Sequence, residues 1–509
     1  MASADPIRSI VIAGGGTAGW MAAAALSRRL ERHDIAITVV ESSAIGTVGV
    51  GEATVPGIRD FFRDIGTSAT EVMKATNGTA KLGIEFENWR HDGHRFFHPF
   101  GLYGAPSRGV QFHQYWLKMR AAGRETPLGD YCLATQLAEA DLFMPPPEAP
   151  QSDLGVFDWA VHFEAASFAR FLAGRAAAQG VRHIDAKIEG VELDGESGNI
   201  AALKLDDGHR IVGDLFIDCT GFRALLIGQA LGAAYLDWSH ILPCDRAVAM
   251  PCARSGPLTP YTRSTALKAG WQWRIPLQSR VGNGYVYASA HISDDEAAAT
   301  LRSRLEGEAL GEPNLIRFTT GKRERVWVKN CIALGLASGF IEPLESTSIT
   351  LIQTGIERLI DFFPDRNFDP ALSTEYNRIA TQEYERIRDF LLYHYWGNGR
   401  HGEPLWDAVR AQQLPEDLQR KIDLWRSRGR FVRYLWESFA DPSWLSLHVG
   451  LGLIPDQYDP LADFFSVEDL DNAFAKMREA VGRAKALAIP HEQFIEQNCR
   501  AGGAAGDLR

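Results

Sequence analysis

SIVIAGGGTAGWMAAAALSRRLERHDIAITVVE, Ser9 to Glu41, is the stretch from which the fold is read. Ser9–Ala13 is a short apolar run of strand type, and IAITVVE (Ile35 to Glu41) is a second one. Between them MAAAALSRRLERH is rich in helix formers. Gly14, Gly16 and Gly19 make G-x-G-x-x-G between the first strand and the helix. The order strand, glycine loop, helix, strand is a βαβ unit, the start of a parallel sheet. In such a loop the first glycine permits the tight turn, the second lets the backbone approach a pyrophosphate, and the third lets helix and strand pack closely. Thr17 and Ala18 stand where the helix begins, and free N–H groups and the helix dipole favour phosphate there. Glu41 ends the second strand about 20 residues after Gly19, where a carboxylate binds ribose hydroxyls. A bare glycine turn would need none of these neighbours, so the unit is read as a dinucleotide site.

Working outward, His94 to Gln151 is rich in aromatics, Pro and Gly and is expected to be irregular cover rather than sheet. Ile184 to Gly221 alternates apolar and polar residues around DGESG and DDG, which predicts antiparallel strands and hairpins. Asp245 to Asn330 alternates in the same way. After Thr350 the pattern is helical, and AGGAAGDLR at the end is expected to fray. No linker interrupts these regions. The expected organisation is a dinucleotide-binding α/β body over 1–350, with interwoven substrate-site segments, and a mainly helical region over 351–509 that completes the substrate site.

The 509 residues are 45% hydrophobic and 23% charged, an ordinary globular balance. With 53 Lys plus Arg against 64 Asp plus Glu, the net charge is −11. No basic cluster is present, so neither nucleic acid nor an anionic membrane surface is the expected partner. The six cysteines are scattered without CxxC, so neither a metal site nor a disulfide framework is expected. No apolar run reaches spanning length and the N-terminus has no signal-peptide pattern, so a cytoplasmic location is expected.

FIDCTGF (Phe216 to Phe222) resembles the second nucleotide-contact strand of FAD monooxygenase-type proteins. No second strand–GxGxxG–helix unit serves a nicotinamide cofactor, which favours FAD. GWQWRIP, with Trp271, Trp273, Ile275 and Pro276 as W-x-W-x-I-P, resembles the signature of the flavin-dependent halogenases, especially the tryptophan halogenase group. GGGTAGW, VGEATVP (Val50 to Pro56), NGTAKLGIEFENW (Asn77 to Trp89), HPFG (His98 to Gly101) and GFIEPLESTSI (Gly339 to Ile349) look like further family segments in family order. The resemblance covers roughly Ile7 to Pro455. It implies a Rossmann-like α/β fold of the flavin monooxygenase/halogenase type, with added antiparallel strands and a helical C-terminal region. It extends the cofactor contacts to Ala53 and Gly339.

In that family reduced FAD reacts with O2 to give a flavin hydroperoxide, which halide attacks to yield hypohalous acid; the acid then reaches a separate aromatic-substrate site. The resemblance implies that Lys81 is the essential lysine, binding hypohalous acid or carrying halogen as a haloamine. It implies that Glu345 positions the halogenating species and stabilises or deprotonates the cationic ring. The alternative for both is a structural Lys81–Glu345 ion pair. Backbone N–H groups at Thr347 and Ser348 are implicated in holding chloride or bromide. The family usually has Gly where this chain has Ser348, and Gly takes positive φ freely, so halide geometry and preference stay open. Two indoles near the flavin, Trp271 and Trp273, would keep substrate from meeting it directly.

His98 and Phe100 occupy positions that by resemblance contact the aromatic substrate, and Trp436 matches a substrate-stacking tryptophan. After Trp425, LWRSRGRFVRYLWESFADPSWL has no counterpart of the Tyr pair and Glu that hold free tryptophan in the family, and Phe431 falls near the Glu position. A zwitterion needs paired donors and acceptors to replace its water. The expected substrate is therefore indole, a larger indole derivative, a phenol or a tryptophan within a peptide. Arg428, Arg430 and Arg433 are read as a solvated face rather than a carboxylate site. The expected partner is a separate NAD(P)H-dependent flavin reductase, and a homodimer is compatible with the family. A flavin monooxygenase and a flavin-binding protein without turnover are the competing readings.

Overall fold

A computed structural model describes residues 5–45, 51–150 and 152–502. Val50, the first residue of the VGEATVP string, and residues 503–509 of the expected frayed end lie outside them. The opening unit forms as its sequence dictates: β1 (Ser9–Ala13), α1 (Thr17–Arg29) and β2 (Ala36–Glu41). Every residue of α1 from Gly19 to Ser27 is buried, so the alanine run serves close packing rather than solvent contact.

β1 lies between β2 and Leu215–Asp218, parallel to both. The sheet continues in parallel to Cys331–Ala333 on one side and Arg182–Asp185 on the other, with Trp327–Val328 as an antiparallel edge. DLFID is thus a parallel strand beside the glycine loop rather than one arm of a hairpin. The antiparallel hairpins expected between Ile184 and Gly221 narrow to Ile188–Leu193, Ile200–Leu205 and Arg210–Val212.

A second, eight-stranded sheet carries GWQWRIP as the fully buried strand Gly270–Pro276. Its strands pair antiparallel except where Thr262–Leu267 meets Gly83–Glu87. The stretch from His94 to Gln151 departs from the expectation of irregular cover. Arg95–Pro99 is an edge strand of this sheet, and Phe112–Ala121 and Leu133–Ala138 are helices. Aromatic residues on both faces of RFFHP hide the alternation that marks a half-buried strand.

The helical region begins at Ser348–Asp361, where Ile349, Ile352, Ile356 and Leu359 form one buried stripe. The boundary expected at 350 falls inside this helix. Pro370–Trp396, Glu416–Arg428, Asp441–Gly450 and Val467–Lys485 follow. One core joins Ile10 of the nucleotide sheet and Trp20 of α1 to Trp425 and Phe494; another joins Trp271 of the second sheet to Phe390 and Trp444. All six cysteines are free thiols.

Candidate active site

The glycine loop has the shape its residue types predict. Gly14 sits at φ +104°, and a Cβ there would stand 2.3 Å from the Cys219 carbonyl oxygen on the adjacent strand. A Cβ on Gly19 would meet the Gly14 carbonyl at 1.9 Å, so this glycine sets the helix-to-loop approach. At Gly16 nothing lies within 4 Å of an added Cβ, so the backbone there is open to a ligand. Gly14, Gly16, Thr17, Ala18 and Glu41 all line one cavity of about 450 Å³. It runs past Ala53, Trp273, Ile275 and Gly339 to Ser346 and Ser348. Burial raises the Glu41 carboxyl, and His183, with Nε2 at 3.0 Å, opposes part of that. A bare loop backbone at a helix N-terminus, a terminal carboxylate and a long, mostly apolar trough fit a dinucleotide flavin.

Trp273 reaches this cavity because its partner across the strand pair is Gly284; an added Cβ there would lie 2.0 Å from the indole. Trp271 does not line the cavity. It is buried, and its Nε1 donates to Glu342 Oε2 at 3.3 Å. The expectation of two indoles beside the flavin therefore reduces to one indole and Ile275.

Ser346 connects the cavity to the buried lysine. It follows the short 3-10 turn Pro343–Glu345 and takes a left-handed conformation, φ +61° and ψ +35°. That reversal puts Glu345 and Ser346 at the mouth of the helix that starts at Ser348. Lys81, on the strand Thr79–Lys81, donates from Nζ to Ser346 Oγ and to the Thr54 carbonyl, both at 2.8 Å. The Phe100 ring lies 5.2 Å from the same nitrogen. None of these partners carries a negative charge. Burial lowers the Lys81 ammonium to about 7, and Glu345 nearby opposes only part of the shift.

Glu345 forms its ion pairs elsewhere. Its Oε2 is 2.9 Å from His98 Nδ1, and its Oε1 is 2.8 Å from His394 Nε2. The alternative of a direct Lys81–Glu345 ion pair is not what forms. His394 Nδ1 also faces the Phe390 carbonyl at 2.9 Å. Both ring nitrogens of His394 therefore face an oxygen. Burial by itself would raise the Glu345 carboxyl; the two imidazoles outweigh it and bring it to about 2.

Thr347 caps the following helix with φ −89°, and its Oγ1 is buried without a hydrogen-bond partner among the described residues. Ser348 is the first residue of that helix and lines the cavity. The left-handed position of the turn is Ser346, not Ser348. The freedom that glycine has at position 348 is therefore not used by this backbone, and the argument that Ser348 disturbs halide geometry through positive φ does not hold.

On the substrate side, His98 and Phe100 lie together, with ring centroids 6.4 Å apart. The aromatic residue brought beside His98 from the segment after Trp425 is Phe439, at 6.2 Å, not Trp436. Trp436 sits on a turn at φ +64° and is 44% exposed. Phe439 is stacked on Phe390 at 3.8 Å. Phe431 packs on Trp425 at 5.1 Å, so no carboxylate stands there. Arg430 and Arg433 are paired with Asp459 and Asp441.

Ser346, His394, Phe439 and Glu52 went unread in the sequence. Ser346 was visible only as part of PLEST, and His394 as one residue in a helical LLYHYW with no partner at telling spacing. Glu52 lines the cavity next to Ala53, and burial raises its carboxyl to about 7.

The tryptophan halogenase family model matches residues 9–467. The 7-chloro-L-tryptophan 6-halogenase KtzR of Kutzneria sp. (strain 744) is 40% identical over 96% of this chain and 98% of that protein. Among solved structures, BrvH, a flavin-dependent halogenase from Brevundimonas sp. BAL3, superposes with a TM-score of 0.94 at 49% identity, over 96% of this chain and 99% of that one. Xcc4156, a flavin-dependent halogenase from Xanthomonas campestris, gives 0.95 at 45% identity, over 98% and 100%.

Proposed function

The chain belongs to the tryptophan halogenase family, and from that premise we propose that Lys81 and Glu345 deliver halogen to an indole lacking the charges of a free amino acid. The protein is a flavin-dependent halogenase: it uses FADH2, O2 and halide, acts on an electron-rich aromatic ring, and depends on a separate flavin reductase. Reduced FAD, when bound, would give O2 two of the four electrons that it takes up, and the halide would give the other two, leaving water and hypohalous acid. The loop from Gly14 to Gly19 and Glu41 would hold the nucleotide portion. Ala53, Trp273 and Gly339 would hold the ring portion. Thr347 and Ser348, at the positive end of a 14-residue helix, would hold the halide.

One observation carries the assignment of roles: Ser346 lines the flavin cavity while its hydroxyl accepts from Lys81 Nζ. Lys81 thus stands directly behind the cavity wall. With its ammonium lowered to about 7, it has both forms at hand, the donor that binds hypohalous acid and the amine that carries halogen. Glu345, ionised and held by two imidazoles, is a weak base but a fixed negative charge. Its stronger role is to stabilise the cationic ring rather than to remove its proton. The aromatic wall of Phe100, Phe390 and Phe439 around His98 supports an apolar substrate. Arg430 and Arg433 are already paired with carboxylates, which supports a substrate without a zwitterion's charges.

The residue ranges 1–350 and 351–509 describe the FAD-binding body and the region that completes the substrate side; the shared cores support treating them as one unit. Among the described residues no helix is long and apolar enough to cross a membrane. We read the protein as cytoplasmic and homodimeric; its mass in solution tests the second point.

The deciding experiment supplies FAD, a flavin reductase, NADH and O2 with chloride or bromide in parallel. The substrates are indole, tryptophan, phenol and a tryptophan-containing peptide, and the products are read by mass spectrometry. A halogen isotope pattern on indole with little on tryptophan is the expected result. Efficient tryptophan halogenation overturns the substrate argument. Oxygen without halogen moves the chain to hydroxylation, and flavin binding with no product from any substrate favours a protein without turnover.

A further inference from the structure

Lys81 lies on the outer strand of a small antiparallel sheet, in the order Gly51–Ala53, Ala160–Glu164, Thr79–Lys81. Thr79–Lys81 is therefore paired along one edge only, yet the whole strand is buried. A buried backbone N–H without an acceptor is costly, so the groups on the other edge need partners. Leu82, the next residue, donates its N–H to the Pro260 carbonyl at 2.7 Å. The Ala80 N–H goes instead to Nε2 of His491 at 3.2 Å, and Nδ1 of the same ring lies 2.9 Å from the Leu258 carbonyl. A carbonyl only accepts, so Nδ1 carries the proton and Nε2 offers its lone pair to Ala80. Burial lowers the imidazole to about 4, so the ring is neutral near pH 7. It fills the gap between the Lys81 strand and the segment from Leu258 to Pro260.

His491 opens the helix His491–Asn498, beyond residue 467 where the family match ends. That helix is fixed at both ends. The His491 N–H donates to the Asp141 carbonyl at 2.9 Å, and Phe494 packs on Phe143 at 4.6 Å. Past the other end, Gln278 Nε2 donates to the Cys499 carbonyl at 3.0 Å and to the Gly78 carbonyl at 2.7 Å, while its Oε1 accepts from the Ala501 N–H at 2.8 Å. Gly78 immediately precedes the Lys81 strand. We propose that this C-terminal helix belongs to the halogen-delivery machinery, with His491 as a positioning residue that holds the strand of Lys81 in place. The inference rests on the reading that Lys81 binds or carries the halogen, and it adds what sets the position of that group. Lys81 Nζ reaches the Thr54 carbonyl and the Ser346 hydroxyl, which stand on other elements, so both bonds depend on where the strand lies. Misplacement of a reacting group by about 1 Å can cost about a hundredfold in rate. A neutral imidazole suits the task, because a cation beside the strand would discharge Lys81 further and a carboxylate would restore its charge.

The test runs the native protein, His491→Ala, His491→Gln and Lys81→Ala with FAD, reductase, NADH, O2, bromide and indole. It reads kcat and KM for bromination of indole, flavin affinity, and the hypobromous acid that escapes to a bromination trap in solution. His491→Ala is expected to lower kcat roughly ten- to hundredfold, with KM for indole and flavin affinity within about twofold. Escaping hypobromous acid should rise in step, as it does in Lys81→Ala. His491→Gln, whose amide oxygen accepts from the Ala80 N–H, should recover most of kcat and stop the escape. Native kcat in His491→Ala overturns the proposal. So does a glutamine variant no better than alanine, which would make His491 mere packing. A lower kcat without more escape, while Lys81→Ala does leak, overturns it as well. If Lys81→Ala itself neither slows nor leaks, the reading of Lys81 fails instead. Should His491→Ala lose flavin binding, His491→Phe keeps a ring in the packing, removes the acceptor and takes its place.

Discussion

Lys81 and Glu345 are buried to the same degree, 0% and 1% exposed, yet their surroundings drive them in opposite directions. Lys81 meets a carbonyl and a hydroxyl, and the Glu345 charge nearby restores only part of what its ammonium loses on leaving water, so it moves towards neutrality. Glu345 meets two imidazoles and stays ionised far below the usual carboxylate range. Burial sets the size of the problem, and partner chemistry decides its sign. One residue is left able to change protonation near neutral pH. The other is fixed as a charge.

The largest way to break this contrast is to remove the switchable group. Lys81→Ala is expected to lower halogenation by about a thousandfold or more, since the group that binds or carries halogen is gone. Flavin affinity should stay within about twofold, because Lys81 touches the cavity only through Ser346. Retained product formation with retained flavin binding would remove Lys81 from the mechanism. Glu345→Gln comes next, with a loss of about a hundredfold, the size seen when one fixed charge or donor is taken from a transition state. A rise in KM with kcat unchanged would instead assign Glu345 to substrate binding alone.

How much of this contrast was legible in the sequence follows from where each signal sits. The βαβ unit was fully legible, because the glycines, the alanine helix and the terminal Glu41 all act within a few dozen consecutive residues. Lys81 and Glu345 were legible only through the strings around them. Their partners were not. His98, Glu345 and His394 meet from an edge strand, a 3-10 turn and a long helix, and no spacing along the chain encodes that meeting. The wrong aromatic was favoured beside His98 for a related reason. Trp436 and Phe439 are three residues apart on an irregular segment, and only its path decides which turns inward. RFFHP was missed as a strand because its neighbours in the sheet, not its own pattern, supply the pairing.

His394→Gln sharpens the contrast by making Glu345 more like Lys81. The variant keeps a donor towards the carboxylate but removes the imidazole that helps to lower it. Burial is then less opposed, and the Glu345 carboxyl rises. A depressed carboxyl contributes stability above its unfolded value of about 4.3 that is lost as pH falls towards its folded value. The acid-unfolding midpoint is therefore expected to move up by roughly one pH unit in the variant, with halogenation reduced about tenfold. An unchanged midpoint would mean that His98 alone holds the charge and that His394 is packing.

The smallest effect bears on the other half of the pair. Lys81→Met replaces a buried ammonium with a chain of similar shape. It removes the desolvation cost but leaves the Thr54 carbonyl and the Ser346 hydroxyl without their donor, at about 1–3 kcal/mol each. Near pH 7 the two changes largely offset, so the melting temperature should shift by only about 1–2 °C, the effect of about 1–2 kcal/mol in a chain of this length. The pH dependence of that shift is more telling than its size. In the native protein Lys81 titrates near 7, against about 10.4 unfolded, so between those values the unfolded chain binds more protons and native stability rises with pH. The methionine variant has no such gain at this position. Its melting temperature relative to the native protein is therefore highest at pH 7 or below and declines steadily towards pH 10. A difference that stays flat across that range would mean that the ammonium keeps its charge when buried, and that Lys81 and Glu345 are two fixed charges rather than one fixed and one switchable.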